Sequence, residues 1–484
     1  MTNNQAVVRS HDKLFIGGRW VDPATSSRID VVSPMTEEKI ATVPEAGSVD
    51  IDRAVDAARA AFDSGAWTTL SRKDRVAALN RVADEIEARL PEMISTFSSE
   101  VGAPLAVSEA FHAMAVQFWR RNAQLLQSYD FEDRRRWDQS AGTVVREPVG
   151  VVGAIIPWNG PVANASLKLS AALAAGCSVV VKPAREGPVS TFLLAEALAA
   201  AGLPEGLVSI LPGDRPVGAH LVDHRGVDKV SFTGSTAAGK KIMQSCAARV
   251  ARVTLELGGK SAAIITDDAV FEDVLPSLIP ASVGHSGQVC AAVTRVLAPR
   301  SRYTEFVDVL GAALRGLRVG DPFAPDTILG PLVSERQRTR VENYIGIGRE
   351  EGARVVTGGG RPQGMERGWF IEPTLFADVD NSMRIAREEI FGPVVVAIPY
   401  TDIEEAVAIA NDSEYGLSGA VYSGDHEVGQ KIARRIRTGQ IFVNSAGLCL
   451  TEPFGGYKQS GLGREGGVEG IGAFLETKLI VENA

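Results

Sequence analysis

At 484 residues, and ~150 residues per domain, the chain has room for two or three domains. Its composition, 45% apolar and 23% charged, is that of a soluble globular protein, and glycine plus proline at about 15% is too sparse for a collagen or low-complexity chain. The net charge of −9 speaks against a general nucleic-acid binder, yet leaves room for an anionic cofactor held by backbone amides.

Cys177, Cys246, Cys290 and Cys449 are widely spaced and form no CxxC pair. That spacing argues against a disulfide framework or a cysteine-rich zinc site, so a reducing cytosol and no metal are expected. Met1 to Arg19 has no apolar core of signal-peptide length, and no uncharged run approaches a membrane span. The expected location is cytoplasmic.

The N-terminal residues read as a polar arm entering a short strand, Lys13–Ile16, and a turn at Gly17-Gly18. Apolar residues at helical spacing predict helices over Asp50–Phe62, Lys73–Leu90 and 107–127, with Pro91 near the end of the second or the start of the next. Residues 130–142 are dense in charge and read as a solvated hairpin or arm. From Glu147 onward short apolar strands alternate with helices. The strands are Val149–Ile156, Ser178–Val181, Val208–Leu211, Val230–Phe232 and Arg252–Leu255. The helices between them are Ser166–Ala175, Ser190–Ala201, Pro216–Val222 and Ser235–Ala248. Such alternation predicts a parallel sheet covered on both faces, a dinucleotide-binding layout with ligands beyond the carboxyl ends of the strands.

A second α/β region follows Gly259. It reads as strand Ala262–Ile265, helix Phe271–Gly284, strand Arg295–Ala298, helix Tyr303–Arg315, loops over 320–333, helix Glu335–Glu351, and strands Val355–Thr357 and Val394–Tyr400. Residues 455–463 read as a flexible polar loop. Lys478–Val481 is a terminal β segment, either a plain edge strand or one that pairs with another chain.

Four places can carry chemistry. Phe232-Thr233-Gly234-Ser235, running on to Gly239, lies between a strand and a helix. There Ser235 is either a plain cap or part of a phosphate-facing turn. Cys290 ends the run His285-Ser286-Gly287-Gln288-Val289, which either exposes its thiol or buries it as a small hydrophobe. Glu256 closes a strand at the end where ligands bind, or pairs with Lys260. Asn159, after Pro157-Trp158, is an oxyanion donor or a turn residue.

Seven segments in order resemble the aldehyde dehydrogenase superfamily and cover almost the whole chain: Pro157-Trp158-Asn159, Lys182-Pro183-Ala184, Phe232-Thr233-Gly234-Ser235, Glu256-Leu257-Gly258-Gly259-Lys260, Gly287-Gln288-Val289-Cys290, Glu389-Ile390-Phe391-Gly392-Pro393 and Pro453-Phe454-Gly455-Gly456. The resemblance implies an NAD(P)-dependent oxidation of an aldehyde to a carboxylic acid. Cys290 then resembles the nucleophile, Asn159 and the Cys290 N–H the oxyanion hole, and Glu256 the base that activates water. Ile156, Trp158, Lys182, Phe232, Gly234, Ser235, Gly239, Leu257, Glu389 and Phe391 resemble the cofactor contacts. Lys168 and Glu465 resemble a supporting pair, either a proton relay or a plain ion pair.

The departures from the family pattern carry information too. Arg185 stands where many relatives have a ribose-binding glutamate, and Arg215 falls in the adenosine region, so NAD is expected with NADP open. Gly160, Asn164 and Leu167, with Val283, Gly284 and His285, replace aromatic residues common in relatives, which points to a roomier or more polar entrance. The loop Ser445–Glu452, with Leu448, Cys449 and Leu450, is expected to rim the pocket. The implied fold is α/β, with a Rossmann-type cofactor domain (1–126 and 148–258), an α/β catalytic domain (259–475) and a small β bridging element (127–147 and 476–484) that supports a homodimer or homotetramer. Two rivals are a CoA-acylating semialdehyde dehydrogenase, which the presence of Glu256 disfavours, and a non-redox cysteine esterase or binding protein on the same fold.

Overall fold

Five parallel strands form the centre of the first sheet. In spatial order they are Arg252–Glu256, Lys229–Thr233, Val151–Ile156, Ser178–Pro183 and Val208–Ile210. All six residues of Val151–Ile156 and of Ser178–Pro183 are buried, which is why these strands read as apolar runs without alternation. Helices Pro161–Ala175 and Pro188–Ala200 are almost wholly buried, each with proline in its first turn, where a missing N–H costs nothing. The computed structural model describes residues 8–138 and 140–483; residues 1–7, Gln139 and Ala484, which belong to the predicted arm, hairpin and terminal segment, lie outside the described residues.

The chain builds outward from Val151–Ile156 on one side, then crosses back to lay down Lys229–Thr233 on the other. The two neighbours therefore send their following loops apart, and a crevice opens at their carboxyl ends. Short antiparallel strands finish the edges: Leu14–Ile16 beside Val208–Ile210, and Gly461–Leu462 beside Arg252–Glu256. The latter corrects the expectation of a flexible loop over 455–463. Ser460 is fully buried, its carbonyl accepts from the Leu257 N–H at 2.9 Å, and its hydroxyl donates to the Gly258 carbonyl at 2.6 Å.

The second sheet has seven strands in the order Arg354–Thr357, Thr374–Ala377, Val394–Tyr400, Val293–Pro299, Ser261–Ile265, Gly419–Tyr422 and Phe442–Val443. Every pair is parallel except the first. Each sheet carries an apolar cluster on either face. Ile471 and Phe474 join a cluster of the first sheet, so the stretch before 475 packs across the predicted boundary.

The charged arm is a hairpin, Glu132–Trp137 with Ser140–Pro148, and Leu475–Asn483 pairs along its second strand within the same chain. The helix predicted to run to Leu90 stops at Glu87, and Pro91 opens a separate helix, Leu90–Val101. Arg28–Val32 and Lys39–Pro44 add a hairpin that has no counterpart among the predicted elements.

Candidate active site

A cleft of about 550 Å³ opens at the crevice between the sheets. Three strand ends of the first sheet supply one wall. Trp158 and Asn159 follow Val151–Ile156, Thr233, Gly234 and Ser235 end or follow Lys229–Thr233, and Glu256, Leu257 and Gly258 end or follow Arg252–Glu256. Val289, Cys290, Glu389 and Phe391 face them from the second unit. A second cleft, about 720 Å³ and more open, lies around Arg225, Arg249 and Glu476 and holds none of the candidate residues.

Cys290 is delivered by a strained turn. The helix predicted through Gly284 ends at Val283, and His285, Ser286 and Gly287 all have positive φ (52°, 54° and 69°). A Cβ makes this region costly at His285 and Ser286, and surrounding bonds hold them there. Ser286 Oγ donates to the Gly330 carbonyl at 2.7 Å, and the Val333 N–H donates to Gln288 Oε1 at 3.0 Å. Glycine is required at 287 for space as well, because a Cβ there would collide with the Gly392 carbonyl. His285 is buried between Phe97 and Phe111 at ring distances of 5.7 and 5.9 Å, so it packs rather than lining the cleft.

The Cys290 side chain is half-buried. Burial pushes its thiol up to about 12, and the carboxylates of Glu389 and Glu256 push the same way, while the N–H groups of Ala291 and Cys290 pull back. Cys177 and Cys246 are buried, and Cys449 is half-buried in its loop.

Asn159 is buried, and its Nδ2 donates to the Gln288 carbonyl at 2.9 Å. That bond fixes the amide beside the Cys290 turn and uses one of its two N–H groups. Glu256 is buried with neither carboxylate oxygen hydrogen-bonded among the described residues, and burial raises its pKa well above the ordinary carboxylate range, with Glu465 adding to the rise. The anticipated pairing with Lys260 is absent. Lys260 is buried with its ammonium unpartnered among the described residues, and burial pulls it down to about 7. Behind Glu256, Lys168 donates to Glu465 and, at 3.1 Å, to Ser231 Oγ. The hydroxyl of Ser231 in turn donates to Glu465 at 3.2 Å.

Of the predicted cofactor contacts, Trp158, Arg215, Gly234, Ser235, Leu257, Glu389 and Phe391 line the cleft. Ser235 caps the helix Thr236–Ala247 by accepting from the Ala238 N–H. Glu389 accepts from the Gly259 N–H at 3.1 Å, and burial raises it to about 7. Phe391 meets Trp158 edge-on at 5.6 Å. Ile156, Lys182, Arg185, Phe232 and Gly239 are not among the residues that line the cleft. Lys182 is buried against the Gly213 carbonyl, Arg185 faces Asp214 at 3.5 Å on the surface, and Gly239 makes room for Leu257. Arg336, Gln337 and Arg340 also line the cleft, from one face of the helix Glu335–Glu350. Gln337 Nε2 donates to the Phe391 carbonyl at 2.7 Å and Arg340 Nε to the Ile390 carbonyl at 3.2 Å, so this helix clamps the Glu389–Phe391 loop. In the sequence these three are ordinary polar residues of a helix.

The arrangement is that of a dinucleotide-type crevice with a thiol, an amide donor and an unpaired carboxylate at its floor. The aldehyde dehydrogenase family profile matches residues 20–480. Geranial dehydrogenase of Castellaniella defragrans is 48% identical over 472 residues, 97% of this chain and 98% of that one. Among solved structures, a Mycobacterium tuberculosis aldehyde dehydrogenase complexed with NAD+ superposes with a TM-score of 0.96 at 45% identity, over 98% of each chain. A Pseudomonas syringae aldehyde dehydrogenase C variant held with NAD+ and octanal superposes with a TM-score of 0.93 at 42% identity, over 97% of this chain and 96% of that one. The chain belongs to the aldehyde dehydrogenase family, and its activity is the oxidation of an aldehyde to the acid.

Proposed function

We propose that Cys290 carries this oxidation as a covalent nucleophile, with NAD as the electron acceptor. The observation that supports the reading is one floor of one cleft shared by the Cys290 thiol, the Asn159 amide and the unpaired Glu256 carboxylate. The residues fit a dinucleotide. Thr233 Oγ1 is buried with no partner among the described residues, and a Cβ at Gly258 would lie 2.5 Å from Glu389 Oε2. Arg215, Arg336 and Arg340 bring positive charge to the same arm. When bound, NAD supplies the acceptor for the hydrogen that leaves the aldehyde carbon as hydride.

The chain's own residues do the rest. A thiol raised to about 12 is protonated at neutral pH, so it needs an acceptor for its proton. Glu256 is a buried carboxylate with free oxygens, lining the same cleft. The Cys290 sulfur adds to the carbonyl carbon, and the second Asn159 N–H with the Cys290 backbone N–H stabilises the oxygen that becomes negative. Loss of hydride leaves a thioester on Cys290. Glu256 then takes a proton from water as the water oxygen attacks, the C–S bond breaks, and the acid leaves while the sulfur regains its proton. The Lys168–Glu465–Ser231 set forms an exit for the proton that Glu256 first takes from the thiol, which frees the carboxylate before it acts on water.

NADP is a second reading, because Arg215 lines the dinucleotide arm and Arg185 stands at its border. The proposed units are 1–126 with 148–258, 259–475, and 127–147 with 476–484, except that Gly461–Leu462, Ile471 and Phe474 pack on the first of them. Exposed Leu479, Ile480 and Val481 on a sheet-edge strand support self-association into a homodimer or homotetramer, and unbridged cysteines support a cytoplasmic location. No helix among the described residues is long and apolar enough to cross a membrane. The test is an aldehyde panel assayed for reduced dinucleotide with NAD and with NADP, plus product analysis with and without CoA. Free acid with no need for CoA is expected. Acyl-CoA as the only product, or ester hydrolysis without any dinucleotide reduction, would overturn the proposal.

A further inference from the structure

Of the two oxyanion donors, Asn159 is the one that is a side chain. A side-chain amide stabilises a developing charge only if it is held in place beforehand. The bonds that hold it come from one turn. Asn159 Nδ2 donates to the Gln288 carbonyl at 2.9 Å. Gln288 is itself fixed, because its Nε2 donates to the His285 carbonyl at 3.2 Å and its Oε1 accepts from the Val333 N–H at 3.0 Å. The ring of His285 then bonds back to the main chain of Asn159. Side chain and main chain of Asn159 are thus both tied to residues 285–288, the turn that presents Cys290 and its N–H.

The His285 ring is suited to this one bond. It is buried, with the rings of Phe97 and Phe111 at 5.7 and 5.9 Å. Burial pulls it down to about 4, so the ring is neutral near pH 7 and carries a single N–H. Nε2 has no partner among the described residues, so the N–H sits on Nδ1 and donates to the Asn159 carbonyl. Apolar surroundings strengthen such a bond. The residue after Asn159 is fixed as well. Phe111 fills the space beside Gly160, where a Cβ would lie 3.0 Å from its ring, and Asn164 donates to the Gly160 carbonyl from its backbone N–H at 2.8 Å and its Nδ2 at 2.9 Å. This differs from the more polar entrance that Gly160, Asn164 and His285 suggest in the sequence, since Asn164 and His285 turn N–H groups onto the backbone of residues 159 and 160.

We infer that His285 is a positioning residue for the oxyanion hole: its Nδ1–H holds the Asn159 carbonyl, so that one turn sets both the Asn159 amide and the Cys290 N–H. The inference rests on the Asn159 and Cys290 reading and deepens it. His285 does not line the cleft, so it acts through Asn159. The experiment is a double-mutant cycle of His285→Leu and Asn159→Ala, read as kcat at saturating aldehyde and NAD. His285→Leu should lower kcat roughly tenfold, the worth of one hydrogen bond, and leave NAD affinity unchanged. Added to Asn159→Ala it should cost less than about twofold more, because the two act as a unit. His285→Asn puts an N–H close to where Nδ1 was and tolerates the positive φ, so it should recover most of the loss. His285→Ala carries the same expectations as His285→Leu if the latter does not fold. Unchanged kcat in these variants, the same tenfold loss on the Asn159→Ala background, or no recovery in His285→Asn overturns the inference. A crystal structure of the leucine or alanine variant separates the two readings. If Asn159→Ala keeps full turnover but the Asn159 amide has left the Gln288 carbonyl in that crystal, the positioning stands and the oxyanion role of Asn159 falls. An Asn159 amide still on that carbonyl overturns the positioning.

Discussion

The two arms of the cleft are made of different material. The dinucleotide arm is built on strand ends: Thr233 to Ser235 and Glu256 to Gly258 are held by the parallel sheet beneath them, and the Gly234 N–H is tied to the Glu256 carbonyl at 3.0 Å. The apolar arm is built from helix side chains and a loop: Phe111, Met114, Ala163, Leu167 and Leu450 hold its shape by packing against one another. A sheet end fixes backbone amides whatever the neighbouring side chains, whereas a packed arm changes shape with each substitution. One arm can therefore stay constant while the other adapts to a substrate. Cys290, Asn159 and Glu256 lie where the arms meet.

Substitutions at the junction should hurt every substrate and either dinucleotide alike. Cys290→Ala should reduce aldehyde oxidation to background while dinucleotide binding, read by fluorescence titration, survives; retained turnover would break the comparison at its centre. Glu256→Gln should lower steady-state turnover by ~10²–10⁴ and leave a burst of reduced dinucleotide. Its pH dependence has a definite sign. A base must be deprotonated, and burial raises Glu256, so wild-type kcat falls as pH drops through a value well above the ordinary carboxylate range; that limb should vanish in the variant. Asn159→Ala should cost ~10²–10³ in kcat, measured at saturating aldehyde.

Effects in the dinucleotide arm should be smaller and selective. Arg185→Glu should lower kcat/KM for NADP roughly fivefold more than for NAD, since a like charge beside Asp214 replaces a cation. Equal losses for both would remove Arg185 from cofactor choice. Glu389 sets a modest pH dependence of stability. Its folded pKa is raised by burial from 4.5 to about 7, so its contribution is full below 4.5 and is lost as pH rises to about 7. Glu389→Gln should flatten that part of the Tm-against-pH curve.

The same contrast explains what the sequence discloses. Strands buried on both faces must be apolar throughout, so Val151–Ile156 and Ser178–Pro183 stand out, and residues at or just beyond the carboxyl ends of the parallel strands, Asn159, Thr233 and Glu256, are presented to ligand by topology. Phe111 and Met114 carry no such mark, because an apolar helix position looks the same whether it faces a core or a cleft. Arg336, Gln337 and Arg340 read as a solvated helix face until the Glu389–Phe391 loop is laid against them. The loop over 455–463 is rich in glycine and polar residues, and what pins it is Ser460 bonding to Gly258, about two hundred residues away. Nothing local announces that partner.

The most direct test of covalent chemistry at Cys290 is peptide mass spectrometry on Glu256→Gln quenched with acid after mixing with NAD and an unbranched aldehyde. An acyl group on the peptide that contains Cys290, formed in step with one equivalent of reduced dinucleotide, is the predicted result. Dinucleotide reduction without any acyl group on that peptide, or with the group on Cys449 instead, would contradict the account.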